Sequence, residues 1–459
     1  MAPRTSVAAP AAGAAGPPRS GRVTAQRPGH RAAAAGHPRR GRRSATSCRS
    51  GTLSVWDVFR ERGFFQQVTD SEALLARSAD GPLTAYIGFD PTADSFHVGH
   101  LIPLMALVHL QREGHRPIAL VGAGTAMIGD PTGKNEMRKM LSVEQLDANC
   151  EGLKRQLGLL LDFEAGAILV NNADWLRGLH YIDFLREIGP HFSVNRMLTF
   201  ETFKTRLETG LSFIEFNYPL LQAYDFLELH RRYGCVLQLG GDDQWANIIS
   251  GVELVRRMDR AQVFGWTFPL HTTASGAKMG KTEKGAVWLD AAKTSPYDYY
   301  QYWVNVDDAD VGMCLRLFTL LPLEEVQALA RLQGAELREA KTRLAFEATR
   351  IVHGEEEARR AEAGARAMFG GGGDLDEAPG TALPAARLAA GVPLPELLTD
   401  LGLAKSRGEA RRLIQQGGVK VNGARADDVE LCITAEHLQD GAVLLQVGKK
   451  KFHRVRVEG

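Results

Sequence analysis

Cysteine is scarce in this 459-residue chain, and no two cysteines lie close together. The five are Cys48, Cys150, Cys235, Cys314 and Cys432. Zinc ribbons and redox motifs need closely spaced cysteine pairs, and an odd, scattered set argues against a disulfide framework. We therefore expect free thiols, a reducing compartment and no structural metal.

Long apolar runs are also lacking, since no stretch of about 18 consecutive apolar residues occurs. A membrane span is therefore not expected. Hydrophobic residues make up 44% of the chain and charged residues 24%, which is typical of a globular protein with a large core.

Acidic residues are missing from positions 1–56, which contain ten arginines. Subtracting these ten charges from the net +1 leaves −9 for the rest of the chain. The segment is also rich in Ala, Gly, Pro and Ser, which predicts disorder because little apolar surface can be buried. An arginine-rich, acid-free N-terminus is typical of an organellar transit peptide; the alternative is a basic arm that stays attached and contacts RNA.

Short apolar runs alternate with a helical pattern after residue 84. The runs 85–89, 117–121 and 235–239 lead into Gly or Asp-Pro, as buried parallel strands do, and 101–113 fits a crossover helix. The pattern predicts an α/β fold with a doubly wound parallel sheet. Its ligand crevice would lie at the carboxyl ends of the strands.

Changes in composition predict the domain order. We expect a catalytic domain over 57–290, an α-helical domain over 291–369, a flexible Gly/Pro-rich linker over 370–390 and a small basic module over 391–459. In that module a capping-box pattern at 406–409 opens a basic helix, and its cations suit RNA phosphates. A merely solvated charged face is the alternative.

Two elements suit a polyphosphate. His97 and His100 lie one helical turn apart where the apolar helix begins, which Asp94 and Ser95 can cap. A helix start offers unpaired N–H groups and partial positive charge to an anion. Much later, the segment 278–282 reads Lys-Met-Gly-Lys-Thr after a run of small residues. Together they indicate nucleotide chemistry.

Three further patterns place polar groups near the crevice. Asp130 follows a Gly-rich turn after a predicted strand, where a carboxylate could hold a substrate ammonium. Tyr218, Gln222 and Asp225 form a polar stripe at i, i+4 and i+7 on a mostly apolar helix, which is often just the solvated face. The acidic turn at 240–245 follows another predicted strand and could accept ribose hydroxyls.

These elements resemble the H-I-G-H and K-M-S-K-S motifs of class I aminoacyl-tRNA synthetases. The string Y-I-G-F-D-P-T-A-D-S-F-H-V-G-H over 86–100 resembles that of tyrosyl-tRNA synthetases of bacteria and organelles. The resemblance implies a Rossmann-like core, a helical tRNA-binding domain and an S4-like RNA-binding domain. It also implies that ATP activates L-tyrosine to tyrosyl-adenylate, with Mg²⁺ held by the phosphates, and that tyrosine is transferred to tRNA(Tyr). A homodimer in mitochondrion or chloroplast would be expected.

The resemblance also implies roles for individual residues. Catalysis is expected from His97, His100, Lys278 and Lys281, with Lys134 and Arg138 as helpers. Tyrosine would be bound by Tyr86, Asp130, Tyr218, Gln222, Asp225 and Gln238. ATP would be bound by Gly88, Asp90, Thr92, His97, Gly99, His100, Gly241, Asp243, Gln244, Lys278, Met279 and Lys281. RNA would be bound by Lys405, Arg407, Arg411, Arg412 and Lys420.

Two positions depart from the family pattern. Ile87 stands where many relatives have Cys, so a contact to the ribose would be lost, and Asp242 stands where Ser is usual. Two other interpretations are open. A nucleotidyltransferase of the same superfamily would not need the polar stripe or the basic module, and a non-catalytic RNA-binding protein would not need intact phosphate motifs.

Overall fold

The computed structural model describes residues 54–132, 141–274, 276, 279–282, 285–370, 380–439, 441–448 and 451–458. Its helices are α1 (Val55–Arg62), α2 (Ser71–Ala79), α3 (Leu101–Arg112), α4 (Ala123–Ala126), α5 (Val143–Leu160), α6 (Ala173–Leu176), α7 (Tyr181–Glu187), α8 (Val194–Met197), α9 (Glu201–Thr209), α10 (Phe213–Tyr233), α11 (Trp245–Asp259), α12 (Pro296–Val304), α13 (Val311–Phe318), α14 (Leu323–Leu329), α15 (Leu337–His353), α16 (Glu355–Gly370), α17 (Ala385–Ala389), α18 (Leu394–Asp400) and α19 (Arg407–Gln415). Its strands are β1 (Gln67–Val68), β2 (Thr84–Phe89), β3 (Arg116–Val121), β4 (Ile168–Asn171), β5 (Cys235–Gly241), β6 (Phe264–Phe268), β7 (Lys281–Thr282), β8 (Gly285–Ala286), β9 (Gly380–Pro384), β10 (Val392–Pro393), β11 (Val419–Val421), β12 (Ala424–Arg425), β13 (Cys432–Ile433), β14 (Ala442–Val447) and β15 (Lys451–Glu458).

A six-stranded sheet in the order β1-β6-β5-β2-β3-β4 organises the first part of the chain. All neighbours in it pair in parallel except β1, which runs antiparallel along β6 at the edge. The chain moves outwards from β2 to β4 and then crosses back to form β5 on the other side of β2. Such a reversal opens a crevice at the carboxyl ends of the strands. The predicted doubly wound, Rossmann-like sheet is confirmed.

Alternate side chains of β2 enter two different hydrophobic cores. Ala85, Ile87 and Phe89 belong to the core on the α3 side, whereas Tyr86 belongs to the core that contains Phe226 of α10. Successive side chains of a strand point to opposite faces, so a strand covered on both sides reads as a continuous apolar run. That is why the sequence shows uninterrupted apolar runs rather than alternation.

The folded chain begins earlier than the boundary expected at residue 57. Ser54 caps α1 in a capping box with Asp57, and Val55 and Trp56 are buried. The Trp56 ring lies 5.4 Å from that of Trp266 on β6. The expected transit segment is therefore too long at its end, because these apolar side chains belong to the main core. Residues 1–53 lie outside the described part of the chain.

Arg62, at the end of α1, is a buried charged residue. Its guanidinium donates to the carbonyls of Arg316 at 3.0 Å, Thr319 at 2.9 Å and Leu321. These carbonyls lie at and beyond the end of α13, where a helix leaves acceptors unsatisfied. Burial lowers the pKa of Arg62 to about 10, so the group stays charged at neutral pH. Arg62 thus ties the N-terminal helix to the helical part of the chain.

The helices α12 to α16 share their hydrophobic core with the sheet. Tyr299 and Trp303 of α12, Phe318 of α13 and Leu344 of α15 belong to the same cluster as Ile87 of β2. The expected catalytic and helical domains are therefore continuous in their packing. Among the helices that the structure describes, none has the length and apolarity needed to cross a membrane.

The C-terminal part begins before the expected boundary at residue 391. Strand β9 pairs in parallel with β15, and Leu383 and Leu388 are buried in a separate C-terminal core. The linker expected over 370–390 is therefore wrong for 380–390, because pairing with a strand some seventy residues later orders this segment. Positions 371–379 lie outside the described residues. The C-terminal sheet has the order β12-β11-β14-β15-β9.

Replacing Arg62 with Met should destabilise the protein by about 2–4 kcal/mol, because buried helix-terminal carbonyls lose their donors. Urea unfolding of the parent and the variant measures this. Arg60→Met is the matched control: Arg60 is exposed over the Phe65 ring at 5.2 Å, so its loss should cost below about 1 kcal/mol. Equal losses for both variants would contradict the role assigned to Arg62.

Candidate active site

The histidine pair lies where β2 leads into α3. His97 is extended and precedes a 3₁₀ turn, Val98–His100, that continues directly into α3. The two imidazole centroids are 4.1 Å apart, so both rings are on one face as predicted. The expected capping by Asp94 and Ser95 is wrong: Asp94 pairs with Lys293, and Ser95 donates to the carbonyl of Phe96.

The backbone fixes the protonation of both rings. Nδ1 of His97 accepts the Gly99 N–H at 3.0 Å, and Nδ1 of His100 accepts the His97 N–H at 3.2 Å. An accepting Nδ1 carries no proton, so each neutral ring carries its proton on Nε2. Burial, followed by the neighbouring His97, lowers the pKa of His100 to about 3. His100 is therefore a neutral N–H donor at physiological pH.

The second phosphate element packs directly on the first. A Cβ at Gly280 would lie 2.8 Å from the Gly99 nitrogen, and one at Gly99 would lie 3.1 Å from the Met279 carbonyl oxygen. Gly280 has φ +78°, which only glycine adopts without strain. Its carbonyl accepts from Val287, whose own carbonyl accepts from the Val98 N–H. The two predicted elements are thus brought together by backbone contact.

Several cations of the predicted phosphate site lie outside the part of the chain that the structure describes. Lys134, Arg138 and Lys278 lie outside the described residues, and of Lys281 only the backbone in β7 is described. Met279 is placed and is 6% exposed.

Tyr86 and Gln238 sit side by side on β2 and β5 as register partners. Both are almost completely buried, at 1% and 2% exposure. Neither the Tyr86 hydroxyl nor the Gln238 Oε1 has a hydrogen-bond partner within the described chain. Burying an unpaired polar group is costly, so such atoms mark a pocket that a polar ligand would complete.

Asp225 precedes Phe226 on α10, whose ring lies 5.3 Å from that of Tyr86, and it is almost completely buried. Its Oδ1 accepts from the Trp175 indole N–H at 2.7 Å, and its Oδ2 from the Asn172 amide at 2.9 Å. Burial raises the pKa of Asp225 to about 8, against the opposing effect of these two donors. Its charge in turn helps burial to raise the pKa of Tyr86. The solvated-face interpretation of the polar stripe is therefore wrong.

Tyr218 connects the stripe to the end of β2. Its hydroxyl donates to Oδ2 of Asp90 at 3.1 Å, and Thr125 donates to Oδ1 of the same carboxylate at 2.7 Å. Thr125 also accepts from Asn172 at 3.0 Å, which joins this group to Asp225. Burial, then the charge of Asp90, raises the pKa of Tyr218 well above its usual range. Asp90 thus lies beside the expected tyrosine residues as well as the expected ATP residues.

Asp130 and Gln222 are joined through Gln244. The Gln244 amide donates to Asp130 at 2.9 Å and accepts from the Gln222 amide at 3.2 Å, while Asn247 donates to both glutamines at 3.1 Å. The structure therefore brings the predicted ammonium site and the predicted ribose turn into one network. Carboxylate oxygens have four acceptor positions, so Asp130 can accept further donors.

The acidic turn follows β5 and borders a cavity of about 570 Å³. Asp243 and Asp242 line this cavity, and Gly241 ends the strand so tightly that a Cβ would lie 2.7 Å from Asp243. Asp242 is held by the Gln67 amide at 2.7 Å and the Thr267 hydroxyl at 2.9 Å. The unusual carboxylate is thus anchored to β1 and β6. Gly88 and Thr92 are both exposed, at the end of β2 and in the turn after it.

The predicted RNA-binding cations all lie exposed on α19, β11 or the residues before α19. Arg407 pairs with Glu396 at 2.7 Å and Arg411 with Glu430 at 3.8 Å. Within the described residues, no group of three His, Cys, Asp or Glu side chains is arranged to hold a metal ion.

Sequence reasoning missed Thr125, Asn172 and Trp175. Asn172 follows β4 directly, and Trp175 is one turn later on α6. The available signal was the rule that ligand residues follow the carboxyl ends of parallel strands. β4 has only four residues, so its sequence gives a weak strand signal.

Comparisons with known proteins indicate the same family for both parts of the chain. The family model "tRNA synthetases class I (W and Y)" matches residues 78–370, and "Tyrosine--tRNA ligase SYY-like C-terminal domain" matches 375–455. The chain is 54% identical over 408 residues to a tyrosine–tRNA ligase of Clostridium botulinum (strain 657 / Type Ba4), covering 88% of this chain and 100% of the relative. It is 54% identical over 407 residues, with the same coverage, to that of Caldanaerobacter subterraneus subsp. tengcongensis.

A solved structure with a similar fold is that of a C-terminally truncated Aspergillus nidulans mitochondrial tyrosyl-tRNA synthetase. It is 31% identical, with a TM-score of 0.63, and covers 69% of this chain and 95% of its own.

The raised pKa of Asp225 predicts a pH-dependent stability in the ligand-free protein. The folded state holds a proton that the unfolded state loses near the ordinary pKa of 3.8, so the stabilisation is complete below that pH and is lost as pH rises through about 8. The slope is at most about 1.4 kcal/mol per pH unit. Urea unfolding of the parent and Asp225→Asn from pH 5 to 8 checks it. The parent should lose stability relative to the variant; a constant difference would contradict the shift.

Proposed function

The chain belongs to the tyrosine–tRNA ligases of bacterial type, which are class I aminoacyl-tRNA synthetases, and we propose that it holds tyrosine between Tyr86 and Asp225. The enzyme activates tyrosine with ATP and transfers it to tRNA. The observation that carries the pocket assignment is the buried Tyr86 hydroxyl without a partner in the described chain, beside the buried Asp225 carboxylate. A phenol hydroxyl would satisfy both, and phenylalanine would leave both unsatisfied.

The tyrosine ammonium is proposed to contact Asp130, Tyr218 and Gln222. The carboxylate of Asp130 supplies the charge, and the network through Gln244 holds Gln222 beside it. Because Gln244 follows Asp243, a ribose bound there would lie next to the amino acid. This shared network supports a site in which tyrosine and the nucleotide bind side by side.

The phosphates are proposed to bind where the two glycines meet. His97 and His100 would donate Nε2–H groups as neutral rings, and Lys278 and Lys281, with Lys134 and Arg138, would supply the positive charge. The tyrosine carboxylate attacks the α-phosphorus in line, and the bond to pyrophosphate breaks. Catalysis then rests on positioning and on stabilising the charge of the leaving group. A tRNA 3′ hydroxyl next attacks the tyrosyl carbonyl and AMP leaves.

Mg²⁺ is proposed to accompany ATP. Mg²⁺ commonly keeps several waters and binds through substrate phosphates and one or two carboxylates. Asp242 and Asp243 are carboxylates that line the cavity and could supply such a ligand.

The C-terminal module is proposed to be an S4-like domain that binds tRNA(Tyr). Lys405, Arg412 and Lys420 are exposed, and they supply cations for RNA phosphates beside the ion-paired Arg407 and Arg411. Its separate hydrophobic core supports an autonomous unit.

A homodimer is proposed to form through α7, α8, α9 and the start of α10. These helices surround a small core and expose large apolar side chains, with Ile182 and Phe213 at 71% and 70% exposure. Tyr181, Val194 and Leu207 are also more than half exposed. Exposed apolar side chains concentrated in one region mark an interaction surface. Sedimentation of Phe213→Asp tests the assignment, and an unchanged dimer would refute it.

An organellar address is proposed for residues 1–53. The composition of the segment and the similarity to a mitochondrial enzyme support it, while the curated relatives reported above are bacterial. Fusion of residues 1–53 to a fluorescent protein is the direct test, and a cytosolic signal would refute the proposal.

Asp225→Ala should reduce tyrosine activation by on the order of 10³ or more, because the phenol loses its buried hydrogen-bond partner. Tyr86→Phe should reduce tyrosine activation about 10-fold, and it should also reduce the preference of the enzyme for tyrosine over phenylalanine. ATP–pyrophosphate exchange with tyrosine, phenylalanine and tryptophan measures this. Tyr233→Phe, at the C-terminal end of α10 and not part of the proposed pocket, is the matched control and should change nothing. Near-parental exchange by Asp225→Ala would refute the pocket.

Removing residues 371–459 should separate the two half-reactions. Adenylate formation should survive, because every residue proposed for it precedes residue 371. Charging of tRNA should collapse through weaker binding, with a shallower salt dependence as phosphate contacts disappear. Pyrophosphate exchange and charging are measured on the truncated protein after circular dichroism shows that it is folded. If the charging of tRNA is unchanged, the proposal that the C-terminal module binds RNA is wrong.

A further inference from the structure

Asp310 makes an unusual contact with the chain just before the lysine segment. Both carboxylate oxygens accept the Ala274 backbone N–H at 3.0 Å. Asp310 is only 7% exposed, so this contact is shielded from water. Ala274 lies four residues before Lys278 and well over thirty before Asp310. The carboxylate therefore joins the start of the lysine segment to a distant helix.

The side chain of Asp310 could have bound the N–H groups at the start of its own helix, which are closer in the sequence. Asp310 is the N-cap of α13, where an aspartate usually accepts from the first helical N–H groups. Its side chain makes no such bond here. Asp307 instead caps the preceding 3₁₀ turn by accepting from Ala309 at 3.0 Å. The carboxylate of Asp310 is thus directed at Ala274 rather than at its own helix.

Helix α13 is a fixed support. Val311, Cys314 and Leu315 are buried in the main core, and Arg62 binds the carbonyls at the other end of the helix. Because α13 is held along its length and at its end, Asp310 has little freedom to follow Ala274. The contact therefore positions the segment, and not the helix.

The other end of the lysine segment is also held from the helical part. Tyr302 of α12 donates to the Met279 sulfur at 3.7 Å, and Met279 is buried. Gly280 then packs on Gly99 beside the histidine pair. Ala274 and Met279 are thus both held by the helical part of the chain, Met279 from α12 and Ala274 from the N-cap of α13.

We propose that Asp310 is a positioning residue for tyrosine activation, which fixes the backbone at Ala274, where the segment that leads to the proposed phosphate-binding lysines begins. Asp310 contacts neither substrate nor the reacting atoms. The proposal rests on the phosphate role proposed for Lys278. Precise placement matters because a misplacement of about 1 Å can cost on the order of 100-fold in rate.

Two substitutions of Asp310 distinguish the effect of its negative charge from the effect of its hydrogen bond to Ala274. Asp310→Ala removes both acceptors and should lower the single-turnover rate of adenylate formation by about 20- to 100-fold. Asp310→Asn keeps the shape and one neutral acceptor, so a loss of about 3- to 10-fold is expected. The Kd of tyrosine, measured by equilibrium dialysis, should stay within about twofold, because the tyrosine pocket is not touched. If Asp310→Ala does not fold, the rate of Asp310→Asn alone tests the proposal.

Asp307→Ala is the matched control, since Asp307 is exposed in the same turn and does not contact Ala274. Its rate should stay within about twofold of the parent. The decisive comparison is Asp310→Ala in a Lys278→Ala background. If Asp310 acts through Lys278, the second substitution should cost less than about threefold further, because the two effects are not independent.

The outcomes are distinct. A large loss for Asp310→Ala that shrinks in the Lys278→Ala background, with unchanged tyrosine affinity, supports the proposal. A parental rate for Asp310→Ala and Asp310→Asn overturns it, as does a loss of the same size in both backgrounds. If Lys278→Ala alone keeps the parental rate, the proposed phosphate role fails and takes this inference with it.

Discussion

Parallel pairing of β2 with β3 on one side and β5 on the other is the constraint on which the site depends. Parallel strands end at one edge, so the residues that follow β2, β3, β4 and β5 emerge together. Asp90, Gly122, Asn172 and Asp242 occupy those four positions. These turns supply one part of the site, and the rest comes from the strands β2 and β5 themselves and from the polar stripe of α10.

The polar interior that results is held by its own connections. Asp225, Asn172, Thr125, Asp90 and Tyr218 form one chain of hydrogen bonds through the space between β2 and α10. Burying a carboxylate is costly unless it is well hydrogen-bonded. Two donors on Asp225 reduce that cost only in part, as its raised pKa shows. A ligand hydroxyl is the remaining partner that such a site favours.

Local sequence patterns predicted those features of the site that are determined by residues close together in the sequence. The stripe of Tyr218, Gln222 and Asp225 follows from helix periodicity, and the closeness of His97 and His100 from their spacing. Contacts set by the fold were not predictable in this way. The pairing of β9 with β15 and the contact of Asp310 with Ala274 join segments far apart in the sequence, and no local pattern indicates them. The capping role of His97 was missed because histidine is not a usual N-cap residue.

The two faces of β2 have different consequences for how such an enzyme can diverge. Tyr86 faces the core shared with α10, whereas Ile87 and Phe89 face the core shared with α3, which begins at the histidine pair. If tyrosine binds at Tyr86 as proposed, changes on the first face would alter which amino-acid side chain fits, and they lie in a different core from the packing beneath the histidines. A single scaffold can therefore acquire a new amino-acid preference without rebuilding its phosphate chemistry. A family model that spans the synthetases for both tryptophan and tyrosine is what such a division of labour between two faces of one strand would produce.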